Sequence, residues 1–126
     1  MLSQRGKFIS HGCRLEPHEL ATVEYYVARG HKIELIVPSS TSRVSNADLV
    51  MDDGLAWEMK SPCVSKNKTL QTAFKKAVSQ APNVIFDLRR LRRAMPAAQQ
   101  LQFLFSRSRR VKNMRIIMKD QTIPKF

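Results

Sequence analysis

The stretch from Asn46 to Pro62 constrains the fold most strongly, because it has the pattern of two short strands around an Asp-Asp-Gly turn. Side chains of a strand alternate between its two faces, so Glu58 and Lys60 share one face, opposite Trp57. We expect Trp57 to belong to the core. The turn then decides which residues of the first strand lie opposite Glu58 and Lys60.

The length of the turn sets this register. A two-residue turn would place Asp48 opposite Met59 and scatter the polar groups. A three-residue turn ending at Gly54 would place Asp48 opposite Glu58. Three-residue hairpins usually end in a left-handed position, which glycine adopts readily, and Gly54 occupies that position. We therefore predict the register that brings Asp48, Glu58 and Lys60 together.

The charge of the chain indicates a polyanionic partner. The 126 residues include 22 basic and 10 acidic side chains, for a net charge of +12. Half of the basic residues lie from Arg89 onward, which favours nucleic acid first and an anionic membrane second. No apolar run is long enough to span a membrane, and the N-terminus lacks the apolar core of a signal peptide. Cys13 and Cys63 lack the spacing of metal ligands and are expected to be free thiols.

Hydrophobic periodicity predicts a single α/β domain with the order α-β-β-β-α-β-α-β. The predicted elements are a helix over 17–29, a strand over 31–37, the two hairpin strands, a helix ending near 81, a buried parallel strand over 84–88, a helix opened by Pro96, and a strand over 114–118. We expect a mixed sheet flanked by helices. Residues 1–14 are interpreted as a lead-in arm and 120–126 as a short tail.

The acids of the hairpin suggest a metal site. Two carboxylates on one face repel each other unless a cation neutralises them, and Mg²⁺ or Mn²⁺ does so through oxygen ligands. A neighbouring lysine can orient an attacking water, and such a site can hydrolyse a phosphodiester bond. The same arrangement of acids and a lysine on a solvated strand face also forms ordinary salt bridges, so the charge pattern alone leaves both interpretations open.

A family resemblance favours the nuclease interpretation. The α-β-β-β-α-β core with Asp48 on one strand and Glu58-x-Lys60 on the next resembles the PD-(D/E)XK nuclease superfamily. More narrowly, D-x-x-x-D-D-G-x-x-W-E-M-K-S-P, then a Lys-rich helix, then N-V-I-F-D-L-R-R, is similar to the C-terminal nuclease domain of CdiA-type contact-dependent growth inhibition toxins. The resemblance covers 18–119. Ala47 stands where the superfamily has a structural proline, which casts little doubt on catalysis.

The resemblance also implies roles for single residues. Asp48 and Glu58 would be metal ligands and Lys60 the catalytic lysine. A further catalytic glutamate from the first helix matches Glu19, although a glutamate near a helix start also stabilises the helix by itself. The accessory candidates are Gln80, which is otherwise an exposed polar residue, and His18, which is otherwise a surface histidine at a helix start.

Basic residues after the catalytic strand and after the fourth strand are predicted to bind the nucleic-acid backbone without reading its sequence. They are Lys66, Lys68, Arg89 and Arg90. Asp87, beside Arg89, is expected to form a structural ion pair instead.

By resemblance, the substrate is tRNA, the role is that of a growth-inhibitory toxin, and a cognate immunity protein neutralises it. The resemblance implies delivery as the C-terminal part of a larger secreted toxin and action in the cytoplasm of a target cell. Two alternatives stay open: a DNA endonuclease of the same fold, and a non-catalytic basic RNA-binding module whose hairpin acids are structural.

Overall fold

The computed structural model describes residues 5–37 and 47–119. Within them, a mixed six-stranded sheet lies between helices, which confirms the predicted α/β class. The elements are β1 (Phe8–Ile9), α1 (Pro17–Val27), β2 (Ile33–Leu35), β3 (Leu49–Met51), β4 (Ala56–Lys60), α2 (Asn67–Gln80), β5 (Asn83–Asp87), α3 (Ala94–Arg107) and β6 (Asn113–Ile117).

The strands lie in the sheet in their order along the chain. The pairs β2–β3 and β3–β4 are antiparallel, whereas β1–β2, β4–β5 and β5–β6 are parallel. The parallel strand predicted from its continuous apolar run is therefore confirmed as β5. All five of its residues are buried, as expected for a strand covered on both faces.

The short strand β1 was not predicted, because two residues are too few to show a period. It lies within the segment interpreted as a lead-in arm. The amide of Ile33 donates to the carbonyl of Lys7 at 2.8 Å, and the amide of Gly6 donates to the carbonyl of Val27 at 2.7 Å. A Cβ atom on Gly6 would collide with the His31 carbonyl, so glycine permits this close approach.

The two faces of the sheet carry separate cores. The face under α1 buries Trp57, which confirms its predicted core position at 1% exposure. On α1, Tyr25 and Tyr26 are buried against this face, whereas Leu20 is 42% exposed. The other face of the sheet packs against α2 and α3, and Phe86 is fully buried in this second core.

A buried ion pair ties the end of β5 to α1. Asp87 is 2% exposed and receives two hydrogen bonds from the guanidinium of Arg89, at 2.7 and 2.9 Å. The hydroxyl of Thr22 donates to the same carboxylate at 2.8 Å, and Arg89 also donates to the carbonyl of Ala21 at 2.8 Å. The structural role predicted for Asp87 is thus confirmed.

We expect Asp87→Ala to destabilise the fold by about 3 kcal/mol, since it leaves the hydroxyl of Thr22 and much of the Arg89 guanidinium without their acceptor. Urea unfolding measures the change. Thr22→Val is the matched control and should cost about 1 kcal/mol, because it removes the hydroxyl alone. Equal losses for the two variants would contradict a role of the ion pair in stability.

Candidate active site

The hairpin of β3 and β4 has the predicted register. Leu49 lies opposite Trp57, and Val50 lies opposite Ala56. The turn between the strands ends at Gly54, whose φ of +80° lies in the left-handed region. Asp48 therefore comes opposite Glu58, and the three-residue turn is confirmed.

Asp48 is held firmly against β4. One of its carboxylate oxygens accepts a hydrogen bond from the amide of Met59 at 2.8 Å. Its own amide donates to the carbonyl of Trp57 at 2.9 Å, and its carbonyl accepts from Ile36 of the β2 side at 3.0 Å. The carboxyl group of Asp48 also lies close enough to that of Glu58 to raise its pKa. Backbone groups of two neighbouring segments, β4 and the end of β2, thus fix the position of this acid.

Glu58 is buried, with only 6% of its surface exposed. Burial, followed by the negative charge of Asp48 and the hydrogen bond to it, raises the pKa of Glu58 to about 8. Lys60 acts in the opposite direction, with its Nζ 3.4 Å from a Glu58 oxygen. At neutral pH Glu58 consequently retains its proton unless a metal cation takes the place of that proton. This burial contradicts the interpretation of Glu58 as part of a solvated strand face.

The donor set suits a small divalent cation. Asp48 and Glu58 supply hard oxygen ligands on one face, and a bound Mg²⁺ commonly keeps several waters and takes one or two carboxylates. Residues 5–37 and 47–119 contain no group of three or more His, Cys, Asp or Glu side chains suited to a metal. A cation held by these two acids would therefore keep coordination positions for water and substrate.

A cavity of about 390 Å³ lies beside Lys60, between α1 and the start of α2. Both His18 and Glu19 line it, so the structure brings these two predicted residues near Lys60. Glu19 is already engaged, however, because its Oε1 accepts a hydrogen bond from the amide of Glu16 at 2.8 Å. This capping box supports the helix-stabilising interpretation of Glu19, and its catalytic role stays a prediction.

A second cavity, of about 540 Å³, also borders Lys60 and is strongly basic. We call it the lysine cavity; it is lined by Lys60, Lys66, Lys68, Thr69, Thr72, Ala73 and Lys76. The structure thus places Lys66 and Lys68 next to the predicted catalytic lysine. Lys76 was missed; it follows Lys68 on α2 by about two helical turns.

The remaining predicted residues do not line either cavity. Arg89 uses its Nε and Nη2 atoms on Asp87 and Ala21, which leaves less of it available for a phosphate. Arg90 is exposed in the turn after β5. Gln80 is the exposed last residue of α2, about 6 Å along the helix axis from Lys76, which lines the lysine cavity.

The comparisons with known proteins agree with the hairpin motif. Residues 45–123 match the family described as the contact-dependent growth inhibition CdiA C-terminal domain. The chain belongs to this family. No curated protein matches the chain.

A solved structure described as the CdiA-CT/CdiI toxin and immunity complex from Burkholderia pseudomallei contains a chain of similar fold. It has a TM-score of 0.63 and 18% sequence identity, over 94% of this chain and 97% of that one. This CdiA C-terminal domain therefore shares its fold with a chain of that complex over nearly its whole length. In the part of the chain that the structure describes, no helix is long and apolar enough to cross a membrane.

Proposed function

We propose that this CdiA C-terminal domain is a metal-dependent endonuclease of the PD-(D/E)XK type that cleaves tRNA as a growth-inhibitory toxin. The observation that supports this most is the buried carboxyl of Glu58, in contact with Asp48 on one side and Lys60 on the other. Burial strongly disfavours the charged form of this acid, so keeping it there lowers the stability of the fold. Acids with strongly shifted pKa values concentrate at functional sites. Membership of a toxin family supports the biological role.

In this proposal Asp48 and Glu58 hold Mg²⁺ or Mn²⁺. Such a cation, when bound, polarises a phosphoryl oxygen and lowers the pKa of a coordinated water. Lys60 orients the attacking water and stabilises negative charge on the phosphoryl oxygens, since its ammonium lies at the wall of both cavities. The water oxygen bonds to phosphorus, the bond from phosphorus to the leaving oxygen breaks, and the protons pass to solvent and the leaving group.

The lysine cavity would position the substrate. Lys66, Lys68 and Lys76 surround the same space as Lys60, so phosphates flanking the cut can contact them while one phosphate lies at the catalytic group. Lysine side chains of this kind contact the phosphates of any nucleic-acid backbone and do not distinguish between bases. A folded RNA such as tRNA would be recognised by shape, and a cognate immunity protein would compete for the same basic surface.

The decisive experiment incubates the purified protein with total tRNA and, separately, with plasmid DNA, each with Mg²⁺, with Mn²⁺ and with a chelator. We expect cleavage of tRNA that requires the metal and leaves the plasmid intact. Loss of the plasmid instead would point to a DNA endonuclease of the same fold. Salt-sensitive binding without cleavage of either substrate would overturn the proposal of an enzyme.

Metal dependence should change with pH. A cation at this site displaces the proton that Glu58 retains up to a pKa of about 8, so binding of the metal is weaker in acid. We expect the Mg²⁺ concentration for half-maximal cleavage to fall about tenfold per pH unit between pH 6 and 8 and then to level off. Metal titrations of cleavage at four pH values measure this. A half-maximal concentration independent of pH would exclude Glu58 as a ligand that must lose its proton.

A further inference from the structure

A second basic groove lies between α2 and α3, on the side of α2 away from the lysine cavity. Its volume is about 590 Å³. Its floor is apolar, and its rim is cationic. We call it the α2–α3 groove; it is lined by Gln71, Phe74, Lys75, Val78, Leu104, Arg107, Ser108, Arg109 and Arg110.

The four cations of the α2–α3 groove have no acidic partner among the described residues. Asp87 is the single carboxylate side chain between 61 and 119, and it is buried and bound to Arg89. The four basic side chains of the groove are all exposed. Ordinary surface cations are usually interspersed with acids, so this concentration of one sign is suited to binding a polyanion.

The rim of the groove is also ordered. The hydroxyl of Ser108 accepts hydrogen bonds from the amides of Arg110 and Val111, at 3.2 and 3.3 Å, and this fixes the turn after α3. The guanidinium of Arg107 lies over the ring of Phe103, 4.8 Å from its centroid. These contacts hold the Arg107 side chain and the backbone at Arg110 in place, so less conformational entropy is lost when an anion binds.

Helix α2 forms the common wall of the two basic cavities. Lys68 and Lys76 project toward the lysine cavity, whereas Lys75 projects toward the α2–α3 groove. An α-helix with its side chains is about 10–12 Å across, a distance that a few nucleotides of a backbone span. A polynucleotide with one phosphate at Lys60 can therefore cross α2 and reach the groove.

We propose that the α2–α3 groove binds the nucleic-acid backbone some nucleotides away from the cut, with its phosphates on the cations and a ribose or base on the floor formed by Phe74, Val78 and Leu104. This rests on the proposed function, since it extends the substrate path of that site. Cations on both sides of one helix favour a continuous polyanion over an acidic protein patch. The apolar floor between the cations suits the alternating charged and apolar parts of a nucleic acid.

The test compares tRNA binding by two double variants. Arg109→Ala/Arg110→Ala removes two cations of the groove, and Lys7→Ala/Lys32→Ala removes two exposed cations next to β1 and β2 as the matched control. Binding of labelled tRNA is followed by fluorescence anisotropy in chelator, so that cleavage does not interfere. We expect the groove variant to bind about tenfold more weakly at 0.1 M salt. The slope of log affinity against log salt concentration should become less steep by roughly two.

The control variant should change binding less than about threefold. Combining the groove variant with Lys66→Ala/Lys68→Ala should multiply the two losses, as expected if one RNA contacts both cavities. Equal losses in the groove and control variants, or an unchanged affinity of the groove variant, would overturn the proposal and leave the groove to another anionic partner. Absence of cleavage with these binding changes intact would count against the proposed enzyme and not against the groove.

Discussion

Lys60→Ala is expected to lower tRNA cleavage by about 10³-fold while leaving the affinity for tRNA within a few-fold of the wild type. The ammonium contacts Glu58 and faces both cavities, so its loss removes a group that stabilises the transition state. Binding of the RNA changes little, because Lys60 is only one of several cations that contact it before cleavage. Single-turnover cleavage and anisotropy titrations separate the two effects.

The matched control for this prediction is Lys66→Ala, which removes one charge from the same lysine cavity. It should weaken binding while leaving the single-turnover rate at saturating protein within about threefold of wild type, because Lys66 is proposed to contact a flanking phosphate. Cleavage that survives in Lys60→Ala would remove Lys60 from the catalytic site. A rate loss in Lys66→Ala as large as in Lys60→Ala would show that the cavity acts as one unit.

Glu58→Gln is expected to abolish cleavage and, at the same time, to stabilise the metal-free protein at alkaline pH. Glutamine keeps the shape and removes the buried charge that Glu58 must carry above its pKa of about 8. We expect a gain on the order of a few kcal/mol at pH 9, seen as a higher Tm in chelator. A residue that limits stability but is required for activity is typical of a functional site.

The sign of this pH dependence follows from proton linkage. The pKa of Glu58 is raised in the folded state, so between its ordinary value of 4.5 and about 8 the folded protein binds more protons than the unfolded chain. The free energy of unfolding of the wild type therefore falls as pH rises through this range and levels off above it. Glu58→Gln should lack this contribution.

Urea unfolding in chelator at pH 5.5 and pH 9 measures this difference. Glu24→Gln is the control, since it removes an exposed carboxylate that is paired with Arg5. This variant should keep the wild-type dependence of unfolding free energy on pH. The quantity of interest is the difference in unfolding free energy between the wild type and Glu58→Gln. If this difference is the same at pH 9 as at pH 5.5, the burial of a charge at this position is contradicted.

The hairpin register was predictable because it depends on local backbone chemistry. A glycine at the end of a three-residue turn decides which residues face each other, and alternation along the strands then sets the faces. Asp48, Glu58 and Lys60 could thus be placed together from sequence. The core position of Trp57 and the buried strand β5 followed from the same short-range patterns.

The partners of other polar residues could not be predicted in this way. Glu19 had two possible roles, and the tertiary structure shows it both lining the cavity beside Lys60 and capping α1. Arg89 was predicted to bind phosphate, but Asp87 and the Ala21 carbonyl occupy much of its guanidinium. A side chain's hydrogen-bond partners depend on segments distant in sequence, which local patterns do not contain.

The sequence by itself determined the class of fold, the hairpin register, the clustering of Asp48, Glu58 and Lys60, and the basic character of the surface. These follow from turn geometry, side-chain periodicity and charge counts, which act over a few residues or over composition. Only the tertiary structure decided that Glu58 is buried and that α2 separates two basic cavities. Burial and cavity shape arise when α2 packs on β4 and against α3, because solvent exclusion depends on how distant elements fit together.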